Sequence, residues 1–355
     1  MELSLTLPTA CKNDPAIGTT VDADFTQGES PLFYEFAGTK IDYTKDGAVF
    51  TIKSETDAPT VGSNKYIFFG KIDVTVRAAP GAGVVTSFVL QSDDLDEIDW
   101  EWLGGDDKQV QTNYFGKGDT TTYDRGAYHQ VANPQAVDHT YSIDWTKDYV
   151  KWYIDGALVR TLLYKDAQGG TRFPQTPMQI KLGTWVAGRK NAPEGTVQWA
   201  GGYTDFSQGP FIAYYKDIKI TDYSNGVKGA VEYVWAPAPN NGAYTDITVS
   251  TTAGNSTSDD DNSSSAASTA ASATKTSGMV TATKSATATK TTGATSATAT
   301  GSSTDEETAT TTTGNANAIV AASTTSAKPA VTGAAYKNSF SPIALGAALV
   351  AAAVF

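Results

Sequence analysis

Acidic and apolar side chains alternate between positions 97 and 102 of this chain, directly after Asp96. Because successive side chains of a β-strand point to opposite faces, Glu97, Asp99 and Glu101 would share one face and the apolar residues between them the other. Strand geometry places the α-carbons of Glu97 and Glu101 about 13 Å apart and leaves roughly 5 Å between inward-leaning carboxyl groups. Two carboxyl groups at about this spacing act as nucleophile and acid/base in a retaining glycosidase.

Asp99 adds a third charge between the two glutamates. Crowding of like charges raises the pKa of at least one member and favours a protonated acid near neutral pH. The alternative is a plain solvent-exposed face of an antiparallel sheet. That alternative is weakened because three acids in line repel each other unless basic residues lie across from them.

The elements that would position these acids are strands. Ile72, Val74 and Val76 alternate with polar residues, a second β-rich run covers positions 84–91, and no helical period of comparable strength is present. Asp155-Gly156 predicts a two-residue hairpin turn. Strands at this density over about 200 residues predict an all-β sandwich, with the acidic strand in a concave cleft that suits a polymer chain.

Polar and aromatic residues near the acidic strand are candidates for sugar binding. Positions 110–118 predict the adjacent strand, on which Gln111 and Asn113 share a face and either bind sugar hydroxyls or are ordinary sheet polarity. Glycine-rich segments further along the chain carry four aromatic residues: Trp185, Trp199, Tyr203 and Phe206. Exposed aromatic faces stack on sugar rings, and the alternative for each of the four is burial in the core.

Composition excludes several classes of function. A net charge of −12 and a pI of about 4.6 disfavour nucleic acid and anionic membrane surfaces as partners, whereas a neutral polysaccharide is compatible with them. Cys11 is the only cysteine, and His129 and His139 are the only histidines. Little material remains for an internal disulfide, a zinc site or a Ser-His-Asp triad, so we expect carboxylate chemistry without a metal or cofactor.

Residues 91–106 resemble the catalytic strand of glycoside hydrolase family 16, whose pattern is Glu-x-Asp-x-Glu, and more narrowly its fungal Crh-type branch. Further similarity lies in the segments 109–118, 121–126, 173–178 and 199–209. The resemblance implies a concanavalin-like jelly roll. It also implies Glu97 as the nucleophile, Asp99 as the assisting acid and Glu101 as the acid/base.

The same resemblance implies a substrate and a set of contacts. Lys181, Trp185, Thr196 and Glu101 match chitin-contacting positions of the branch. The implied activity is transfer of chitin chains from a chitin donor onto a β-1,6/β-1,3-glucan acceptor in the fungal cell wall, with chitin hydrolysis as a side activity. A secreted endo-β-glucanase would share the fold and the acids, and a non-catalytic wall lectin would normally lack one of the carboxylates. The endo-β-glucanase and the lectin both stay open as alternatives. We expect the protein to be a monomer.

The chain divides by composition into four parts: an N-terminal segment (1–20), a catalytic domain (21–246), a Ser/Thr/Ala-rich stalk (247–332) and a C-terminal signal (333–355). The stalk has too little apolar surface to fold and is typical of a disordered, glycosylated linker, with N-glycosylation patterns at Asn255 and Asn262. The last part predicts attachment of a glycosylphosphatidylinositol (GPI) anchor at Gly333, which would place the protein outside the cell, on the plasma membrane and cell wall.

The N-terminal segment lacks the basic region and the apolar run of a signal peptide. Because the stalk and anchor make sense only after secretion, we expect the start to be misassigned or truncated. Crh-type proteins usually carry a cysteine pair near the mature N-terminus. Cys11 resembles its second member, and the first is absent.

Overall fold

The computed structural model describes residues 12–237 and 241–252, which form a β-sandwich. One of its two large sheets carries the acidic stretch and has seven antiparallel strands. In spatial order these strands are β11 (Ala127–Gln130), β10 (Gln109–Phe115), β9 (Glu97–Leu103), β8 (Val84–Ser92), β15 (Met178–Val186), β6 (Thr60–Ser63) and β3 (Phe33–Glu35).

The second large sheet has eight strands. In spatial order they are β14 (Ala157–Leu163), β13 (Tyr149–Ile154), β12 (His139–Trp145), β7 (Gly70–Arg77), β16 (Phe211–Asp222), β5 (Gly47–Ile52) and β4 (Asp42–Thr44), with β2 (Thr20–Asp24) also paired to β16. The predicted alternation in β7 is confirmed, because Ile72, Val74 and Val76 are fully buried.

The core lies between the two sheets and receives the apolar face of β9. Trp100 and Trp102 pack edge-on against Tyr141 of β12, with ring centroids 5.3 and 4.5 Å apart. Their rings are buried, and Trp100 Nε1 donates a hydrogen bond of 3.3 Å to the Ser142 carbonyl. From the opposite sheet, Trp152 Nε1 donates to the Asp99 carbonyl at 3.2 Å. The acidic strand β9 is therefore held in place on its core side by both apolar packing and hydrogen bonds.

The predicted all-β sandwich is confirmed, and so are its local signals. Asp155 and Gly156 have φ angles of 49° and 80° and connect β13 to β14 as a two-residue turn. Within residues 12–237 and 241–252, helical structure is limited to α1 (Glu194–Trp199) and to short 3₁₀ turns. These turns are Phe25–Gln27, Tyr164–Asp166, Gln168–Gly170, Phe206–Gln208, Ser224–Gly226 and Tyr244–Asp246. Within the described ranges, no helix is long and apolar enough to cross a membrane.

A third, small sheet extends the fold past the predicted limits of 21 and 246. It consists of β1 (Asp14–Pro15), β17 (Glu232–Trp235) and β18 (Ile247–Ser250), with β17 in the middle. Positions 224–244 carry few strand signals, yet β17 forms there because it pairs on both sides with segments distant in sequence. Most of the predicted stalk and all of the C-terminal signal lie outside the described residues.

Candidate active site

The register of the seven-stranded sheet places the three acids in one row between two flanking strands. On one side, β8 sets Gln91 opposite Glu97 and Ser87 opposite Glu101. On the other side, β10 sets Asn113 opposite Asp99 and Gln111 opposite Glu101. The predicted neighbour strand and the shared face of Gln111 and Asn113 are therefore present.

The three carboxylates are buried although they face away from the core. Glu97 is 4% exposed, Asp99 1% and Glu101 6%. An ordinary polar sheet face would be open to solvent, so this burial excludes the alternative of surface charges. Burial of an ionised carboxylate without a hydrogen-bond donor costs free energy. The hydrogen bonds of each acid therefore influence its protonation state.

Glu97 is held by a two-step hydrogen-bond relay. Gln91 Nε2 donates to Glu97 Oε2 at 2.5 Å, and Lys181 Nζ of β15 donates to Gln91 Oε1 at 2.6 Å. Burial raises the pKa of Glu97 to about 7, while the hydrogen bonds from Gln91 and Asp99 and the charge of Lys181 act to lower it. The relay thus favours the ionised carboxylate, which is the form of a nucleophile.

Asp99 is the middle carboxyl group of the row. No donor reaches either of its carboxyl oxygens or Oε1 of Glu97 within the described part of the chain. Burial, followed by the negative charges of Glu97 and Glu101, raises the pKa of Asp99 well above its ordinary value. A proton on Asp99 would supply a donor to Glu97 and remove one of the three crowded charges.

Glu101 differs from Glu97 because it has no relay. Burial, followed by the charge of Glu97, raises its pKa to about 8, and no hydrogen bond lowers it. The two glutamates on this strand therefore differ in environment, because hydrogen bonds oppose the rise in the pKa of Glu97 and none opposes that of Glu101. That division is what a nucleophile and a general acid require.

A cleft of about 470 Å³ lies over the acids. Its floor includes Lys181 and Trp185 of β15, and its far wall comes from the segment between β3 and β6. Residues of that wall and rim include Phe36, Lys40, Lys53, Glu55, Pro59 and Arg189. The side chains are mixed in charge, as expected for a neutral, hydroxyl-rich ligand.

Trp185 is supported by the short helix α1. Its ring is stacked on Trp199 with a centroid distance of 6.3 Å and an interplanar angle of 27°. Trp199 Nε1 donates to Gln111 Oε1 at 2.9 Å, which ties α1 to β10. Trp199 is therefore a support for both Trp185 and Gln111.

The structure does not bring every predicted residue to the cleft. Thr196 is 1% exposed inside α1 and is not among the residues lining the cleft. Asn113 accepts a 2.9 Å hydrogen bond from the Tyr114 amide through its own Oδ1. Asn255, Asn262 and Gly333 lie outside the described residues.

A buried ionic cluster fixes the start of β9. Lys117 Nζ lies 2.8 Å from Asp94 Oδ2 and 2.9 Å from Asp96 Oδ2. Thr176 Oγ1 contacts both aspartates, at 2.6 and 2.8 Å. Burial, followed by the charge of Asp94, raises the pKa of Asp96 to about 6, and Lys117 opposes this shift. Asp96 directly precedes Glu97, so the cluster sets where the catalytic strand begins.

Two features of the site are not evident from the sequence. Gln91 lies in the motif, but its contact with Glu97 depends on which strand pairs with β9. The wall between β3 and β6 carries no motif. Within residues 12–237 and 241–252, no cluster of three His, Cys, Asp or Glu side chains is arranged to hold a metal ion.

The fold and the carboxylates together define an enzyme of the glycoside hydrolase class. A model of the glycosyl hydrolases family 16 matches residues 30–201. Crh-like protein 5 of Aspergillus fumigatus is 57% identical over 208 residues, which are 59% of this chain and 53% of that protein. Crh-like protein 1 of the same species is 47% identical over 249 residues, which are 70% of this chain and 68% of that protein.

A solved structure described as the Crh5 transglycosylase in complex with NAG has a TM-score of 0.65 and 51% identity, and the match covers 69% of this chain and 99% of that chain. The chain therefore belongs to glycosyl hydrolase family 16, in its branch of fungal Crh-like proteins. The matched region is about half the length of some curated relatives, such as Crh-like proteins 5 and 4 of Aspergillus fumigatus, at 53% and 48%.

Proposed function

We propose that this protein is a retaining transglycosylase of the fungal cell wall, which transfers chitin chains onto β-1,6/β-1,3-glucan and hydrolyses chitin as a side activity. The observation that carries the proposal is the unequal environment of the two glutamates on β9. Glu97 receives a hydrogen bond from Gln91, whereas no hydrogen-bond donor in the described part of the chain stabilises the charge of Glu101. The likeness to a transglycosylase structure favours transfer over hydrolysis.

In the proposed reaction, Glu97 attacks the anomeric carbon of the donor and Glu101 gives its proton to the departing glycosidic oxygen. The product is a covalent glycosyl-enzyme, and Glu101 is left ionised. An acceptor hydroxyl then loses its proton to Glu101 and attacks the anomeric carbon, which releases Glu97. Asp99 donates a hydrogen bond to Glu97 and so stabilises the carboxylate before attack and after release.

Lys181 and Trp185 are proposed as substrate contacts, since both line the cleft beside the acids. The proposed location is the cell wall and the outer face of the plasma membrane. GPI attachment near Gly333 and N-glycosylation at Asn255 and Asn262 would supply the tether and the glycosylated stalk. These three modifications follow from sequence pattern alone.

Transfer is tested by incubating the full chain with a chitin-oligomer donor and a fluorescent β-glucan acceptor. The expected product is a labelled hybrid chain that is absent from a Glu97→Gln control. Shortened donor without a hybrid would indicate a hydrolase, and release of short oligomers from β-glucan alone would indicate an endo-β-glucanase. Carbohydrate binding without either reaction would support a lectin.

A further inference from the structure

A second groove, with a volume of about 630 Å³, adjoins the catalytic cleft. Lys53 and Glu55 line both the cleft and this groove. Lys190, Tyr203 and Phe206 line the remainder of the second groove. We call it the Tyr203 groove. Because the same residues line both cavities, the two are adjacent, and a polysaccharide chain that occupies the cleft can continue into this groove.

Tyr203 is unusually exposed for an aromatic residue of this protein. Its exposure of 63% exceeds that of every other large hydrophobic side chain in the described ranges, and most of the tryptophans and phenylalanines are buried. Phe206, in contrast, packs against Phe211 of the core at a centroid distance of 6.5 Å. The exposed ring of Tyr203, beside the half-buried Phe206, offers a flat surface on which a sugar ring can stack.

The loop that carries Tyr203 is tied by backbone hydrogen bonds to the segment after β15 and to α1. Thr204 N donates to the Gly188 carbonyl at 2.9 Å, and Gly202 N donates to the Val197 carbonyl at 2.8 Å. The approach is so close that a Cβ on Gly188 would lie 2.4 Å from the Gly202 carbonyl oxygen. Little ordering is therefore required when a ligand arrives, which favours binding.

The charge of the groove suits a neutral ligand. Lys53 and Lys190 line the groove together with Glu55, whose Oε2 accepts a hydrogen bond of 3.4 Å from the Lys190 backbone amide. Ammonium and carboxylate groups together can donate to and accept from sugar hydroxyls. A polyanionic ligand would be repelled by the carboxylate of Glu55 and by the protein's net charge of −12.

We propose that the Tyr203 groove binds distal sugar units of a neutral β-linked polysaccharide whose reacting unit lies at Glu97 and Glu101. The inference rests on the proposed function and adds a remote subsite to it. The donor and the acceptor are both neutral β-linked polysaccharides, so both fit this description. A contact at a distance from the reacting bond raises affinity for long chains only.

The test compares Tyr203→Ala with Tyr203→Phe in the full chain. Transfer rates are measured with a donor series of increasing length at fixed acceptor, and with an acceptor series at fixed donor. We expect Tyr203→Ala to raise KM roughly three- to tenfold for long chains of one series, with kcat and short-chain KM unchanged. The affected series identifies the chain that occupies the groove. Tyr203→Phe keeps the ring and should match the wild type.

Leu158→Ala is the matched control, because Leu158 is 53% exposed on β14 of the other sheet. Equal KM values for Tyr203→Ala and wild type at all lengths, or an equal loss at all lengths, would overturn the inference. Binding of long and short chains to Glu97→Gln, with and without Tyr203→Ala, gives a readout independent of turnover. A length-dependent loss of binding there supports the groove even if the transferase assignment fails.

Discussion

Lys181 and Glu97 are connected through a single side chain, that of Gln91. The lysine donates to the amide oxygen at 2.6 Å and the amide nitrogen donates to the carboxylate at 2.5 Å. The three residues lie on adjacent strands β15, β8 and β9. Lys181 therefore acts on the Glu97 carboxylate through the Gln91 amide and not through a direct hydrogen bond.

Replacement of Gln91 tests this relay. Gln91→Met removes the donor to Glu97, so the pKa of Glu97 should rise by about one unit or more. Since the nucleophile must be ionised, the acid limb of the kcat/KM profile should move to higher pH by the same amount. Gln130→Met, on an exposed residue of β11, is the control. An unmoved acid limb in Gln91→Met would show that the relay does not tune Glu97.

Asp99 is expected to act as a neutral hydrogen-bond donor. Asp99→Asn keeps a neutral group that can donate to Glu97, whereas Asp99→Ala removes the donor. We expect Asp99→Ala to lower kcat/KM by about a hundredfold and Asp99→Asn to retain clearly more activity. The two variants are compared in the same transfer assay. Equal losses would indicate that Asp99 acts through its charge or its volume.

Glu101 should make stability fall as pH rises. Its pKa is raised in the folded protein from 4.5 to about 8, so between these values the folded state retains a proton that the unfolded chain has lost. Stability therefore decreases through this window by at most about 1.4 kcal/mol per pH unit. Glu101→Gln removes the contribution of this one group, and its melting temperature should exceed that of the wild type at pH 8 by more than at pH 4.5.

The control for this pH effect is Glu29→Gln, because Glu29 is exposed. Its melting temperature should follow that of the wild type at every pH. A Glu101→Gln advantage that stays constant with pH would mean that burial does not shift the titration of Glu101.

Lys117 is expected to be essential for the stability of the region before β9. Lys117→Met leaves Asp94 and Asp96 without their cation, and breaking a buried ion pair costs about 3–5 kcal/mol. Denaturant unfolding measures this loss. Lys147→Met breaks the exposed pair with Asp148, whose side chains are 50% and 70% exposed, and should cost no more than about 1 kcal/mol. Similar losses in the two variants would contradict a structural role of the cluster.

Much of the site follows from local sequence. The period of two in β9 separates the carboxylates from the tryptophans, and the Asp155-Gly156 turn joins β13 to β14. Both depend on neighbouring residues and on the geometry of a single strand or turn, so the sequence alone determines them. The strand after β9 was also predictable, since antiparallel neighbours are usually consecutive in sequence.

Only the tertiary structure decided how the environments of the three acids differ. The contact of Gln91 with Glu97 and Lys181 requires the strand order β9, β8, β15, in which the third strand comes from a segment more than 80 residues away. Burial of all three acids depends on the wall between β3 and β6. The position of Thr196 inside α1 and the pairing of β17 with β1 and β18 likewise follow from long-range packing, because local sequence carries no information on which distant segments meet.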